Sequence, residues 1–145
     1  MQGDKSMAIY YNGVNVTSSE SGGSKFKAGT NTAILKVGGN SSRVFFKDIT
    51  IHVPSEYTRV YCSFSCHVHA FDLPSDSLDK IYARYKHYEF GASNASENRM
   101  YSINGSVIHT SGGAITIKVG VILKAPLLTG ETSVPIDIRY SLQEY

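Results

Sequence analysis

The sequence predicts an all-β domain, an antiparallel β-sandwich of the jelly-roll type or another Greek-key type. Apolar and polar residues alternate over long stretches, and this period of two is typical of half-buried strands. Turn dipeptides such as Asn-Gly, Gly-Gly and Pro-Ser separate these stretches. A length of 145 residues suits a single domain with its own core. We therefore expect about eight to ten strands in one domain over residues 1–145.

The clearest strand signal runs from Thr58 to Ala70. Every second residue there is apolar or a cysteine, and the predicted inward set is Val60, Cys62, Phe64, Cys66, Val68 and Ala70. The same alternation predicts strands over 114–124 and 134–142. Only the segment DSLDKIYARYKHY admits a helical interpretation, and its tyrosine-rich alternation favours a strand from about Ile81 to Phe90.

Two Asn-Gly dipeptides predict tight hairpin turns. Type I′ turns prefer this pair because both central residues need positive φ. Asn12-Gly13 would join AIYY to VNVT, and Asn104-Gly105 would join MYSI to SVIH. Gly38-Gly39-Asn40 predicts a further turn between TAILKV and RVFFKDITIHV.

Charge and hydropathy argue against two classes of partner. The net charge of +2 is spread without a basic block, so we expect no nucleic-acid partner. No apolar run approaches 18 residues, so we expect no insertion into a membrane. The N-terminus lacks the layout of a signal peptide. Met7 is a candidate natural start, with residues 1–6 as an added or disordered leader.

The two cysteines predict reduced thiols that pack in the core. They are too few for a disulfide framework. Cys62 and Cys66 are four residues apart on one predicted strand, which separates them by about 13 Å, beyond the reach of a disulfide. Reduced thiols suit assembly in the cytoplasm, and we interpret the four Asn-x-Ser/Thr sequons as chance matches.

A histidine pair lies on the opposite face of the same strand. His67 and His69 stand two residues apart, so their side chains point the same way about 7 Å apart. Such a pair can present two imidazoles to a transition metal, but the site needs a third ligand. His52, His87 and His109 are the candidates. The alternative is a pair of polar-face histidines that are hydrogen-bonded or solvated, and no other cofactor is predicted.

The segment KIYARYKHYEF predicts a binding surface. Aromatic and basic residues interleave there, an arrangement that can stack on sugars or bases. The candidate ligand-binding residues are Tyr82, Arg84, Tyr85, Lys86 and Tyr88. Carbohydrate is favoured over nucleic acid, because no nucleic-acid-binding signature accompanies them.

Motifs for catalysis are lacking. The sequence contains no Gly-x-Ser-x-Gly elbow, no P-loop and no His-Glu-x-x-His, and its acids are scattered. We predict no catalytic residues and expect that the protein is not an enzyme.

One family resemblance adds to these observations. The opening MAIYYNGVNVT, from Met7 to Thr17, resembles the short N-terminal segment of many phage and prophage virion proteins. The strands that follow, rich in Ser, Thr, Gly and Tyr, are similar to receptor-binding or decoration domains of phage particles and to trimeric jelly rolls. The resemblance implies a homotrimeric virion component without disulfides, assembled in the host cytoplasm, that contacts a cell-surface glycan or receptor. In a trimer, His67 and His69 of three chains would give a six-nitrogen cage similar to that of trimeric tail fibres.

Three functional hypotheses follow. The first is a non-enzymatic virion structural or receptor-binding module that self-associates, with a trimer favoured. The second is a soluble carbohydrate-binding domain that uses the surface from Tyr82 to Tyr88, and it would be cytoplasmic. The third is a metal-dependent, cupin-like enzyme built on His67 and His69. The first predicts a stable oligomer, the second predicts glycan binding by a monomer or small oligomer, and the third predicts stoichiometric metal in an apolar pocket.

Overall fold

A computed structural model gives the fold and describes residues 10–11, 14–15, 25–74, 76–94, 99–110 and 113–144. The proposed leader at residues 1–6 and the Asn12-Gly13 turn lie outside this part of the chain. The two strands that flank this turn are described, and they pair as an antiparallel hairpin in which Tyr11 lies opposite Val14. The pairing agrees with the two-residue connection that the Asn-Gly dipeptide predicts.

Eleven strands and no helix are found among the described residues. They are β1 (Tyr10–Tyr11), β2 (Val14–Asn15), β3 (Phe26–Gly38), β4 (Val44–His52), β5 (Val60–His69), β6 (Leu78–Tyr85), β7 (Tyr88–Gly91), β8 (Ser93–Asn94), β9 (Met100–His109), β10 (Ala114–Leu123) and β11 (Glu131–Glu144). Because no helix occurs there, the described residues also hold none that is long and apolar enough to cross a membrane.

Nine of these strands form two antiparallel sheets. The first sheet has the order β3-β11-β5-β9-β8, and the second has the order β4-β10-β6-β7. The chain is folded in half at the turn between β6 and β7, so that β3 lies beside β11, β4 beside β10 and β5 beside β9. Rolling such a long hairpin into two facing sheets gives the strand order of a jelly roll. The predicted all-β sandwich is therefore confirmed.

The core lies between the inner faces of the two sheets. The alternation predicted for β5 is confirmed, since Val60, Cys62, Phe64, Cys66 and Val68 are all buried. Beside β5, strand β11 of the same sheet contributes Val134, Ile136, Ile138 and Leu142, and β10 of the facing sheet contributes Ile115, Ile117, Val119, Val121 and Leu123. Burial of the core stabilises the fold by about 25 cal/mol for each Å² of apolar surface removed from water.

The prediction of a turn at Asn104-Gly105 is wrong. Both residues lie inside the continuous strand β9, where Asn104 pairs with Ser65 and Gly105 with Phe64. Gly105 fills a different need, because a Cβ there would lie 2.7 Å from Phe64 Cζ and 2.8 Å from Phe90 Cδ1. The glycine makes room for two aromatic rings.

The strand predicted from about Ile81 to Phe90 is divided by a turn that was not predicted from the sequence. Lys86 and His87 form the turn between β6 and β7, and Lys86 has a φ of 54°. No Gly, Asn or Pro marks this position, so the turn is set by the pairing of β6 with β7. The predicted Gly38-Gly39 turn is confirmed, with φ values of 96° and 81°.

Candidate functional site

The β6–β7 hairpin separates the five residues that the sequence predicts as a binding surface. Side chains alternate along β6, so Tyr82 and Arg84 lie on the outer face of the second sheet while Tyr85 points into the sandwich. Lys86 is in the turn, and Tyr88 pairs with Tyr85. The five residues therefore do not form one surface.

Tyr82 is covered although it lies on an outer face. Its ring lies against Gly120 of the neighbouring strand β10, which has no side chain to hold it off, and only 6% of Tyr82 is exposed. Lys80 Nζ and Arg84 Cζ lie 5.6 and 5.1 Å from the ring centroid. The ring is thus a support for two cations and offers little area for stacking on a ligand.

Glu89 ties these two cations together. Arg84 Nη2 donates to Glu89 Oε1 over 2.9 Å, and Lys80 Nζ lies 2.5 Å from Glu89 Oε2. Hydrogen bonds from Lys80 and then Arg84 hold the pKa of the Glu89 carboxyl below its ordinary value. The Arg84 guanidinium is consequently held in one place on the outer face.

Tyr85 makes a buried polar contact with a histidine. Its hydroxyl shares a hydrogen bond of 2.8 Å with His109 Nδ1, and the exposed fractions are 3% for Tyr85 and 4% for His109. The hydrogen bond offsets the cost of burying both groups. Since β6 and β9 belong to different sheets, this contact also joins the two layers at one end of the sandwich.

A cavity of about 520 Å³ opens beside this contact, and we call it the basic cavity. Its lining combines three of the predicted residues with others from β4, β9 and β10: Asp48, Arg84, Tyr85, Lys86, His109, Ala114, Thr116 and Lys118. The volume lies within the range of small-molecule sites. Three cations and one carboxylate line it, so the cavity favours an anionic ligand.

Tyr88 lines a second cavity on the other side of Tyr85. This cavity has a volume of about 380 Å³ and is lined mainly by apolar and aromatic side chains: Tyr61, Tyr85, Tyr88, Phe90, Ser106, Val107 and Ile108. Three of its lining residues are exposed, at 41% for Tyr61, 56% for Tyr88 and 43% for Ile108. This end of the sandwich therefore presents an apolar, tyrosine-containing patch to solvent.

His67 and His69 share one carboxylate. They lie on the outer face of the first sheet as predicted, and strand pairing places Asp137 of β11 directly opposite His67. His67 Nδ1 donates to Asp137 Oδ1 over 3.1 Å, and His69 Nε2 donates to Oδ2 over 2.8 Å. Burial raises the pKa of Asp137, but the hydrogen bonds from His69 and His67 outweigh it, so the pKa lies below its ordinary value.

The other histidines are not brought to this pair. His69 and His109 lie at opposite ends of the β5–β9 pairing, about 30 Å apart along the strands, and His52 belongs to the second sheet. His87 stacks on Tyr88 in the β6–β7 turn. Within one chain, the described residues contain no group of three or more His, Cys, Asp or Glu side chains that could hold a metal ion.

The two thiols are core residues, as the sequence predicts. Cys62 and Cys66 are fully buried and form no disulfide. Burial raises the pKa of each thiol to about 12. Because a thiol rather than a thiolate occupies each position, neither cysteine is suited to nucleophilic or metal chemistry.

The outer face of the first sheet is poor in charge, and we call it the serine-rich face. It extends over four strands and consists largely of small polar side chains: Thr30, Thr32, Ser63, Ser65, Ser102, Asn104, Ser106 and Ser141. In the described part of this face, the residues with a formal charge are Lys36, Glu131, Asp137 and Arg139, and Glu131 lies at its edge where β11 begins. The second sheet differs, since its outer face carries Asp48, Lys80, Arg84, Glu89 and Lys118.

Several residues of these clusters escape prediction from the sequence. Asp137 is recognisable as an outward-facing residue of an alternating strand, but only the register of β11 on β5 places it beside His67. Asp48, Thr116 and Lys118 join Arg84 because β10 pairs with both β4 and β6. These are contacts between strands far apart in the chain, and one sequence gives no signal for them.

Comparison with known proteins adds no further information. No protein-family model, curated protein or solved structure matches this chain. The class that can be stated is an all-β sandwich with jelly-roll strand order and two distinct outer faces.

Proposed function

We propose that the protein is a non-enzymatic binding module that self-associates through its serine-rich face, with a homotrimer favoured. The resemblance to phage virion domains suggests a virus particle, assembled in the host cytoplasm, as its setting. Its external partner would be a cell-surface glycan or another receptor. The observation that carries the proposal is the contrast between one outer face that is poor in charge and another that bears a basic cavity.

The low charge of the serine-rich face supports self-association. The central parts of protein interfaces are depleted of charged residues, because an unpaired buried charge is costly to desolvate. Ser63 has small neighbours on both sides, Ser106 on β9 and Ser141 on β11, so a partner surface can approach the sheet closely. The apolar patch of Tyr61, Tyr88 and Ile108 borders this face and would add hydrophobic area at its rim.

The size of this face is adequate for an interface. Four strands and about nine residues along each give a flat area of about 20 Å by 30 Å. Stable interfaces bury about 800 Å² of accessible surface on each partner. The serine-rich face together with the apolar patch provides an area of that order.

Self-association would also bring histidine pairs of different chains near one another. Each imidazole of His67 and His69 donates one N–H to Asp137, which leaves the second nitrogen of each ring, His67 Nε2 and His69 Nδ1, for another contact. Ligating histidines commonly donate their other N–H to a carboxylate in this way. We propose that a transition metal, where one is bound, is held by pairs from several chains.

Native mass spectrometry of the full chain, before and after treatment with a chelator, tests both parts of this proposal. We expect three chains per particle, and a metal ion shared by three chains would support the histidine cage. A monomer at micromolar concentration would refute the self-association. A trimer of unchanged mass after chelation would support self-association and refute the cage.

Two substitutions test the face itself. Ser63→Arg places a guanidinium in the middle of the serine-rich face, and we expect it to weaken association by about 100-fold, equivalent to about 3 kcal/mol. Thr50→Arg adds the same charge at an exposed position on the second sheet and serves as the control. Equal oligomeric states for the two variants would show that another surface mediates association.

A further inference from the structure

We propose that the basic cavity binds an acidic saccharide, meaning a molecule that carries both an anionic group and several hydroxyl groups. Arg84, Lys86 and Lys118 would hold the anionic group, and Asp48 and Thr116 would contact the hydroxyl groups. The inference rests on the proposed function in one respect, because it names the ligand class of the binding module. It does not depend on the oligomeric state.

The charges of the cavity are only partly balanced. Arg84 is paired with Glu89. For Lys86 and Lys118, the described residues provide no carboxylate oxygen within 4 Å. Both lysines line the cavity, and an anionic ligand would supply each with a counter-charge closer than any carboxylate in the described part of the chain.

Aromatic rings hold these ammonium groups in place. Lys118 Nζ lies 4.3 Å from the centroid of the Phe46 ring, and Lys86 Nζ lies 5.3 Å from that of the Tyr85 ring. Contacts of this kind restrict flexible lysine side chains before a ligand arrives. Less conformational entropy is then lost on binding, so the cavity is partly preorganised.

The single carboxylate of the cavity decides between kinds of anion. Asp48 lies opposite Lys118 in the β4–β10 pairing and lines the same cavity. A bare anion such as sulfate would be repelled by Asp48 and has no proton to donate to its carboxylate. A saccharide hydroxyl can donate to the Asp48 carboxylate while its anionic group contacts the cations. The mixed lining therefore favours an anionic polyol over a bare anion or a neutral sugar.

The same observations disfavour nucleic acid as the ligand. Binding of single strands uses exposed aromatic rings on which bases stack. Tyr85, the aromatic residue that lines the cavity, is only 3% exposed. The cavity thus provides cations without a stacking platform.

The inference can be tested by NMR titration of the full chain with matched ligands. Glucuronate and glucose differ only in the group at C6, a carboxylate or a hydroxymethyl. We expect saturable amide shifts around the basic cavity with glucuronate and at least tenfold weaker binding of glucose. Glucose 6-phosphate and inorganic sulfate complete the series. They distinguish a phosphate-bearing saccharide, which supports the inference, from a bare anion.

Substitutions link the binding to the cavity. Lys118→Gln removes the charge of a residue that lines the cavity, and we expect about tenfold weaker binding of glucuronate. Lys124→Gln removes the same charge just after β10, about 20 Å away along that strand, and should leave the affinity unchanged. Asp48→Asn should weaken glucuronate and leave sulfate unchanged or improved. A retained amide spectrum in each variant excludes unfolding as the cause.

Several outcomes would overturn the inference. Two of them are ligand results: glucuronate binds no more tightly than glucose, or sulfate or an oligonucleotide binds at these residues at least as tightly as glucuronate. A third is that Lys118→Gln and Lys124→Gln change the affinity for glucuronate equally. Absence of binding by every saccharide of the series up to about 50 mM would also overturn the inference. An oligomer without saccharide binding would refute this inference alone. A monomer that binds glucuronate would refute the proposed self-association alone.

Discussion

The packing of Gly105 beneath two aromatic rings gives a prediction with a magnitude that can be worked from the structure. Gly105→Ala adds a Cβ at 2.7 Å from Phe64 Cζ and 2.8 Å from Phe90 Cδ1. Carbon atoms in contact prefer separations of about 3.5–4.0 Å, so one or both rings must move by about 1 Å. Phe64 and Phe90 are themselves packed edge to face at 5.4 Å, and Phe64 is 4% exposed, so neither ring can retreat without disturbing the core.

Two opposing effects set the size of the loss. Overpacking of a core costs about 1–3 kcal/mol. Replacing glycine by alanine at an ordinary φ restricts the unfolded chain and stabilises the folded protein by about 0.4–1 kcal/mol. We therefore expect Gly105→Ala to lower the free energy of unfolding by about 1–2 kcal/mol, and Tm by about 2–4 °C for each kcal/mol.

Urea unfolding of matched variants is the assay. Gly91→Ala is the control, because Gly91 also lies in a strand but has nothing within 4 Å of the added Cβ. It should be neutral or stabilise the protein by up to about 1 kcal/mol. In a Phe90→Leu background, the cost of Gly105→Ala should fall, with a coupling of about 0.5–2 kcal/mol.

One pattern of results would refute this reasoning. If Asn104-Gly105 were a type I′ turn, Gly105→Ala would be costly through its backbone, and the Phe90→Leu background would leave that cost unchanged. Asn104→Val would then be costly too, whereas an exposed position in strand β9 accepts a β-branched residue.

Three further predictions concern other parts of the molecule. Asp137→Asn should lower the free energy of unfolding near neutral pH, and equal urea curves at pH 7 would contradict this. Because the folded-state pKa of Asp137 is depressed, the difference from the parent protein should shrink as the pH falls below about 4. Cys62 and Cys66 should resist a thiol reagent at pH 8 in the native protein and both react in urea, since burial raises the pKa of each to about 12. Ile117→Ala, at a fully buried position, should cost about 2–5 kcal/mol, whereas Leu128→Ala, at 69% exposure, should change stability by less than about 0.5 kcal/mol.

The sequence alone determined the fold class and which residues of individual strands face the core or the solvent. A period of two is a local property, so the burial of Cys62 and Cys66 and the outward direction of His67 and His69 can be worked out without any partner strand. Composition likewise indicated a disulfide-free core. The turn predicted at Asn104-Gly105 was wrong, because glycine is favoured both in tight turns and at strand positions where neighbouring rings leave no room for a Cβ.

Only the tertiary structure decided which of these side chains meet. Asp137 is 68 residues from His69 in the chain, and the pairing of β11 with β5 brings them within a hydrogen bond. Lys118 and Asp48 join Arg84 only because β10 lies between β4 and β6. The order and register of strands depend on how all the inner faces pack together, and that is a property of the whole chain. For this reason the strand faces could be predicted, and the clusters that they form could not.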